Sequence, residues 1–261
     1  MNIFKEDKLK ILTGLNKKSV LLFHKLITDF MSNKPGRGFK TPALKQLIIT
    51  LTKLKTGLTN RELEVFFNVD HVTISRITCR IIEILSLSNM SQPIKDYLIT
   101  DTTSIRLSKQ MTSKDYGGYK HHKGKKVQIT TDPTGFIHHI SSLKNLSTHD
   151  FKIFNEEYDN LSKELDLKDF YILADKAYVG LSDKNVLTPV KKNNQFAKSS
   201  PEFIEYYNKD FSSKRIKVEN VNCALKSFKI LNRATHYGLI FMENMIKALA
   251  NIINMKNFIF T

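Results

Sequence analysis

The stretch Tyr97-Leu98-Ile99-Thr100-Asp101 is a short apolar run that ends on a carboxylate, and Phe170-Tyr171-Ile172-Leu173-Ala174-Asp175 repeats the pattern further along. Runs of this length rich in Ile, Leu and Tyr read as strands, and a side chain at a strand exit sits where functional groups gather at the rim of a sheet. Working outward, residues 126–131, 136–141 and 186–190 have the same texture, a helical pattern covers 150–165, and two more cover 214–231 and 236–256. Three strands joined by short turns, then a helix, a strand, a connection and a strand predict an α/β fold with a mixed sheet flanked by helices. The sheet portion is assigned to residues 93–261.

Upstream, residues 1–92 alternate helical periodicity with polar turns and include the basic, glycine-punctuated stretch from Lys34 to Lys40. This predicts a small all-α domain. Thr59-Asn60-Arg61-Glu62 is a capping box, which starts a helix by satisfying two backbone N–H groups reciprocally. That helix stops near Asn68-Val69-Asp70, and Asp70 can cap a second helix containing Ile74, Ile77, Ile81 and Ile84. Two helices joined by a tight turn are a helix-turn-helix, in which His71, Thr73, Ser75 and Arg76 are offered to bases and phosphates. A plain packed helix pair has the same spacing.

Lys and Arg number 41 against 25 Asp and Glu, and the net charge of +16 favours a polyanionic partner, nucleic acid first and a membrane surface as the rival. The long apolar stretch 239–255 contains Glu243 and Lys247, which excludes a membrane span and reads as a buried helix. Cys79 and Cys223 fit neither a disulfide framework nor a zinc spacing. With no signal-peptide pattern at the N-terminus, a cytoplasmic, nucleoid-associated location is expected.

A two-metal phosphoryl-transfer site needs carboxylates converging from different elements. Thr100-Asp101-Thr102, Ala174-Asp175-Lys176-Ala177-Tyr178 and Arg215-Ile216-Lys217-Val218-Glu219 resemble the motifs of insertion-sequence DDE transposases of the family-five type. The resemblance covers nearly the whole chain. It implies a ribonuclease-H-like mixed sheet preceded by a helix-turn-helix, with Asp101, Asp175 and Glu219 as catalytic residues and metal ligands. Two Mg2+ ions, with Mn2+ as substitute, would serve cleavage and strand transfer at terminal inverted repeats, and a homodimer would join two element ends. Arg215, Glu219 and Lys226 also match the register of the related family-four signature, although Ser212 stands where its tyrosine is expected. At 3.6 residues per turn these three share about 40° of one helix face, apart from Val218, Val221, Leu225 and Phe228. Arg215 and Lys226 are assigned to DNA phosphates. A solvated ion-pairing face is the plain alternative for this arc.

Other readings of the whole chain are a DNA-binding regulator derived from such an enzyme and a ribonuclease-H-like nuclease. The aromatic and cationic stretch from Tyr116 to Lys126 adds Lys120 and Lys123 as DNA contacts. Asp132-Pro133-Thr134-Gly135 reads as a type I hairpin turn, with Asp132 a reserve ligand. His149-Asp150 resembles a His-Asp pair of the same transposases, with Leu146 where their glycine is expected, and a helix start capped by Asp150 is the plain alternative. The pairs His121-His122 and His138-His139 point in alternate directions on a strand and make no zinc site.

Overall fold

The computed structural model describes residues 6–32, 39–88, 90–106, 115–117, 122–167, 169–181, 184–191, 194 and 198–258. Lys120, His121 and most of the basic stretch near Lys34 lie outside these residues. The chain divides into two compact units, Ser91–Ala224 and a second built from Met1–Met90 together with Leu225–Thr261. The C-terminal helix therefore belongs with the N-terminal helices, whereas the sequence reading kept it with the sheet.

The physical reason lies in the apolar breadth of that helix. In the helical unit, α1 (Glu6–Thr13), α2 (Lys17–Ser32), α3 (Ala43–Thr56), α4 (Asn60–Phe67) and α5 (His71–Ser86) come from the N-terminal part. The final helix of the chain, α8 (Leu239–Phe258), buries Met242, Met245, Ile246, Leu249, Ile252 and Ile253, and packs on α5. Each such side chain stabilises the fold by about 1.5–3 kcal/mol on burial, so α8 needs a deep apolar surface. On α5, against which it packs, Ile74, Ile77, Ile81 and Ile84 are buried as well.

The centre of this unit is α3, buried continuously from Gln46 to Leu54. Two of its interior polar side chains, Gln46 and Lys53, are paired, which limits their desolvation cost. Gln46 donates to the Thr41 carbonyl at 2.7 Å and accepts from Arg80 at 2.8 Å. Lys53 donates to Asn60 Oδ1 at 2.5 Å, and burial lowers its ammonium to about 8. Gly57 ends α3 in the left-handed region, φ 68°, where an added Cβ would sit 2.9 Å from the Lys229 carbonyl oxygen.

The capping box forms as its sequence requires. Thr59 Oγ1 accepts from the Glu62 N–H, and Glu62 accepts from the Thr59 N–H at 2.6 Å. Asn68 turns the chain at φ 48°, and Asp70 caps α5 by accepting from the N–H groups of Val72 and Thr73.

The other unit is a mixed sheet between two helices. Its strands are β1 (Leu98–Arg106), β2 (Tyr116–Gly117), β3 (His122–Thr131), β4 (Ile137–Ile140), β5 (Lys144–Asn145), β6 (Ile172–Leu173) and β7 (Val186–Leu187). β1 is antiparallel to β3 and parallel to β6, β6 is parallel to β7, and β4 and β5 pair antiparallel with β3. Sequence texture located the main strands but not the two-residue β2 and β5. α6 (Asp150–Glu164) makes the crossover between the antiparallel meander and β6.

Strand alternation gives the sheet two apolar faces. Leu98, Ile172 and Ala174 pack with Phe154, Leu161 and Tyr178 on the α6 side. Ile99 and Leu173 pack with Phe211 and Val218 of α7 (Pro201–Lys226) on the other. Sequence periodicity started this last helix near Lys214, whereas it begins a dozen residues earlier at Pro201.

The hairpin from β3 to β4 turns at Asp132–Gly135, closed by the Gly135 N–H to the Asp132 carbonyl at 3.0 Å. Asp132 is fully buried, and its carboxylate accepts from the Thr134 N–H and hydroxyl, the Phe136 N–H, Gln92 and His138. It is a structural turn anchor whose oxygens are already occupied. Burial alone would raise its pKa, but the hydrogen bonds from His138, Thr134 and Phe136 outweigh that and hold it at about 2.

A carboxylate depressed from 3.8 to about 2 contributes about 2.5 kcal/mol of stability above pH 4, lost as pH falls toward 2. Asp132→Asn is expected to be less stable than wild type by about that amount at pH 6. Its stability should fall less steeply between pH 4 and pH 2 than that of the wild type, the remainder coming from other carboxylates held below their usual range, such as Glu157. Urea unfolding at pH 6, 4 and 2.5 checks both.

Candidate active site

Two parallel strands in register fix the site. Leu98 pairs with Ile172 and Ile99 with Leu173, so continuing the register by two residues brings Asp101 level with Asp175 on the neighbouring segment. Alternation puts both acids on the parity of Ile99 and Leu173, whose face packs against α7. Asp101 lies within β1, which runs on to Arg106, rather than after it as the sequence suggested. Asp175 follows β6 directly and opens a 3-10 turn at Lys176–Tyr178.

Asp101 is held from α7. Asn222 Nδ2 donates to its Oδ2 at 2.8 Å, and Arg215 Nη2 lies 3.5 Å from its Oδ1. These partners flank Glu219, one turn after Arg215 and three residues before Asn222. Burial pushes the Asp101 carboxyl up to about 6 against the pull of Arg215, and Asp175 and Asp150 push the same way. Arg215 Nε and Asn222 Oδ1 are buried beside it with no hydrogen-bond partner.

Asn222 escaped the sequence reading, although its signal is visible. Phe211, Val218 and Leu225 recur every seven residues as the buried stripe of α7, and Arg215 and Asn222 occupy the intervening inward positions. Polar residues at positions that periodicity marks as core are candidates for a site. Glu219 lies next to this stripe and is exposed.

The Ala174–Tyr178 motif has a local rationale. Asp175 accepts from the Ala177 N–H at 2.6 Å, which shapes the turn after β6. Tyr178 plunges to the opposite, α6 face, edge-on to Phe154 at 5.8 Å, and its hydroxyl accepts from Gln128 Nε2 at 3.2 Å. Burial, with Asp150, Asp101 and Asp175 nearby, raises that phenol well above its ordinary range, so it stays neutral. Tyr178 thus anchors the turn that carries Asp175.

At the start of α6 the roles of the His-Asp pair are corrected. His149 is the cap, its Nδ1 accepting from the Phe151 N–H at 3.3 Å, while Asp150 is the first helical residue. Asp150 is then available to Lys126, whose Nζ lies 2.8 Å from it and 2.8 Å from the Thr148 carbonyl. His138 and His139 are engaged separately, by Asp132 and by Glu164 at 2.7 Å.

The remaining predicted contacts scatter in exposure. Lys123 and Lys226 are exposed, and Lys226 ends α7. On α5, Arg76 is exposed and Thr73 and Ser75 are half-buried, whereas His71 is tied to Glu64 at 3.1 Å. Among the described residues, the group of three metal-ligand types with donor atoms within 4.8 Å of one another is Glu64, Asp70 and His71. Asp101, Asp175 and Glu219 are spread more widely than that.

The carboxylates of Asp175 and Asp150 lie near the partly buried Asp101, a set of oxygen ligands that suits hard divalent cations. The elevated Asp101 and the orphaned Asn222 oxygen are what such a cation would relieve, so the residues present fit it.

Residues 100–254 match the family model described as DDE superfamily endonuclease. The chain is also similar to a probable transposase for insertion sequence element IS702 from Microchaete diplosiphon, at 35% identity over 112 residues. That match covers 40% of this chain and 37% of the relative, and no solved structure matches the chain. With the match reaching from β1 across the sheet and α7, the chain belongs to the DDE superfamily endonucleases.

Proposed function

We propose that this protein is the transposase of a bacterial insertion sequence, with Asp101, Asp175 and Glu219 as the ligands of two divalent cations, Mg2+ by preference and Mn2+ as substitute. The observation that carries this reading is the common level of Asp101 and Asp175 on adjacent parallel strands, beneath the helix that bears Glu219. The strand order supports a ribonuclease-H-like catalytic unit.

When bound, the cations would activate water or a 3′-hydroxyl and stabilise the leaving oxygen of a phosphodiester. Asp101 and Asp175 supply ligands from the sheet, and Glu219 approaches from α7. Were Asp101 engaged by a cation, Arg215, now 3.5 Å from that carboxylate, would be free to donate to a DNA phosphate. Burial of Asp101 beneath Asn222 and Arg215 limits competing water around the reacting centre.

Recognition of double-stranded DNA is assigned to α4 and α5 acting as a helix-turn-helix. Arg76, Thr73 and Ser75 face the duplex, and His71 orients the turn through Glu64. Lys123, Lys226 and Lys120 add phosphate contacts. Two element ends must meet for strand transfer, which calls for a homodimer. Among the described residues no helix is long and apolar enough to cross a membrane.

Asp175→Asn is expected to abolish Mg2+-dependent cleavage of labelled DNA carrying the flanking inverted repeats, while retaining gel-shift affinity. Cleavage at the wild-type rate would remove Asp175 from the mechanism. Arg76→Ala should weaken binding to the same duplex about tenfold and lower the salt slope by about one, as loss of one cationic DNA contact requires. Unchanged affinity and slope would take α5 out of the interface.

A further inference from the structure

We infer that Asn222 is a positioning residue, which latches Asp101 to the face of α7 bearing Glu219 and so sets the affinity of the site for divalent cations. The inference rests on the metal-site reading proposed above and extends it to a side chain outside the three acids. Four observations carry it.

Asn222 is 7% exposed and lies on the inward stripe of α7, where Phe211, Val218 and Leu225 are apolar. A buried amide there is costly unless each of its polar atoms has a use. Its Nδ2 is used, donating to Asp101 Oδ2 at 2.8 Å. Its Oδ1 has no hydrogen-bond partner.

The geometry explains why the cost is tolerated. Asp101 comes from the sheet and Glu219 from a helix, elements separated by more than a hundred residues of sequence, and a rotation of α7 by about 100°, the angle of a single residue, would carry Glu219 away. Arg215 on one side of Glu219 and Asn222 on the other fasten Asp101 at two points, one per carboxylate oxygen. Arg215 is a cation and opposes the approach of a metal ion, whereas the neutral Asn222 holds the carboxylate without that penalty. Its unpaired Oδ1 is an oxygen donor for a cation or for the cation's coordinated water. Partners of this kind, beside the ligands themselves, orient metal-binding side chains, and their loss typically weakens metal affinity about 10–100-fold.

The test is titration of the full chain with Mn2+ alone, followed by calorimetry, for wild type and Asn222→Leu. Leucine matches the side chain in size and suits the apolar stripe. The expected result is an apparent Kd weakened about 10–100-fold, with a melting temperature in EDTA equal to or above that of wild type. An unchanged Kd, with or without a lowered melting temperature, would show Asn222 to be structural and overturn the inference. Asn222→Ser, which is too short to reach Asp101, makes the same comparison should the leucine variant fail to fold. Absence of Mn2+ binding in wild type would instead overturn the metal-site reading, so the two failures are distinguishable.

Discussion

Parallel pairing of β1 with β6 is the constraint on which the rest of the catalytic unit depends. Parallel neighbours cannot be joined by a tight turn, so the chain must leave the sheet, cross through α6 and return. That detour allows two carboxylates distant in sequence to stand level on adjacent strands. The same pairing divides the sheet into an α6 face, filled by Phe154, Leu161 and Tyr178, and an α7 face, on which the acids lie. One face supplies cohesion, and the other carries charge.

That division has an energetic logic. Asp101, Arg215 and Asn222 are polar groups placed where a stable core would put hydrocarbon, and two of their atoms are left without partners. Groups in such positions detract from stability. Their cost is offset on the far side of the sheet, where Tyr178 fills the core and closes its hydroxyl on Gln128. It is offset again at the rim, where the Asp132 turn satisfies its carboxylate completely. A sheet braced on one face can tolerate repulsion among acids on the other.

Much of this was legible in the residues. The short apolar runs leading to Asp101 and Asp175 identified both strands, and the Thr59 capping box and the Asp70 cap placed α4 and α5, because these signals are local and act within a few residues. The two-residue strands β2 and β5 were not legible, since they exist only through pairing with β3. The early start of α7 was hidden because its first two turns, though they carry Phe203, Ile204, Tyr206 and Tyr207, fully bury only Ile204, and its inward stripe became informative only when Asp101 was known to face it. Assignment of residues 225–261 to the helical unit was also beyond local pattern. The breadth of the apolar surface on α8 shows that it must be buried but does not name the partner, which proved to be α5.

The sharing of one helical unit between both ends of the chain bears on how the protein is made. Helix α5 is complete at Ser86, yet the helix that covers it begins at Leu239. At a synthesis rate of about 5–20 residues per second, the isoleucine face of α5 waits roughly ten to thirty seconds for its cover. During that interval the sheet unit, which is continuous in sequence from Ser91 to Ala224, can be assembled first. Maturation of the N-terminal helices is thereby tied to synthesis of α8, and a message broken before α8 yields an N-terminal fragment with the α8-facing surface of α5 open to chaperones and proteases.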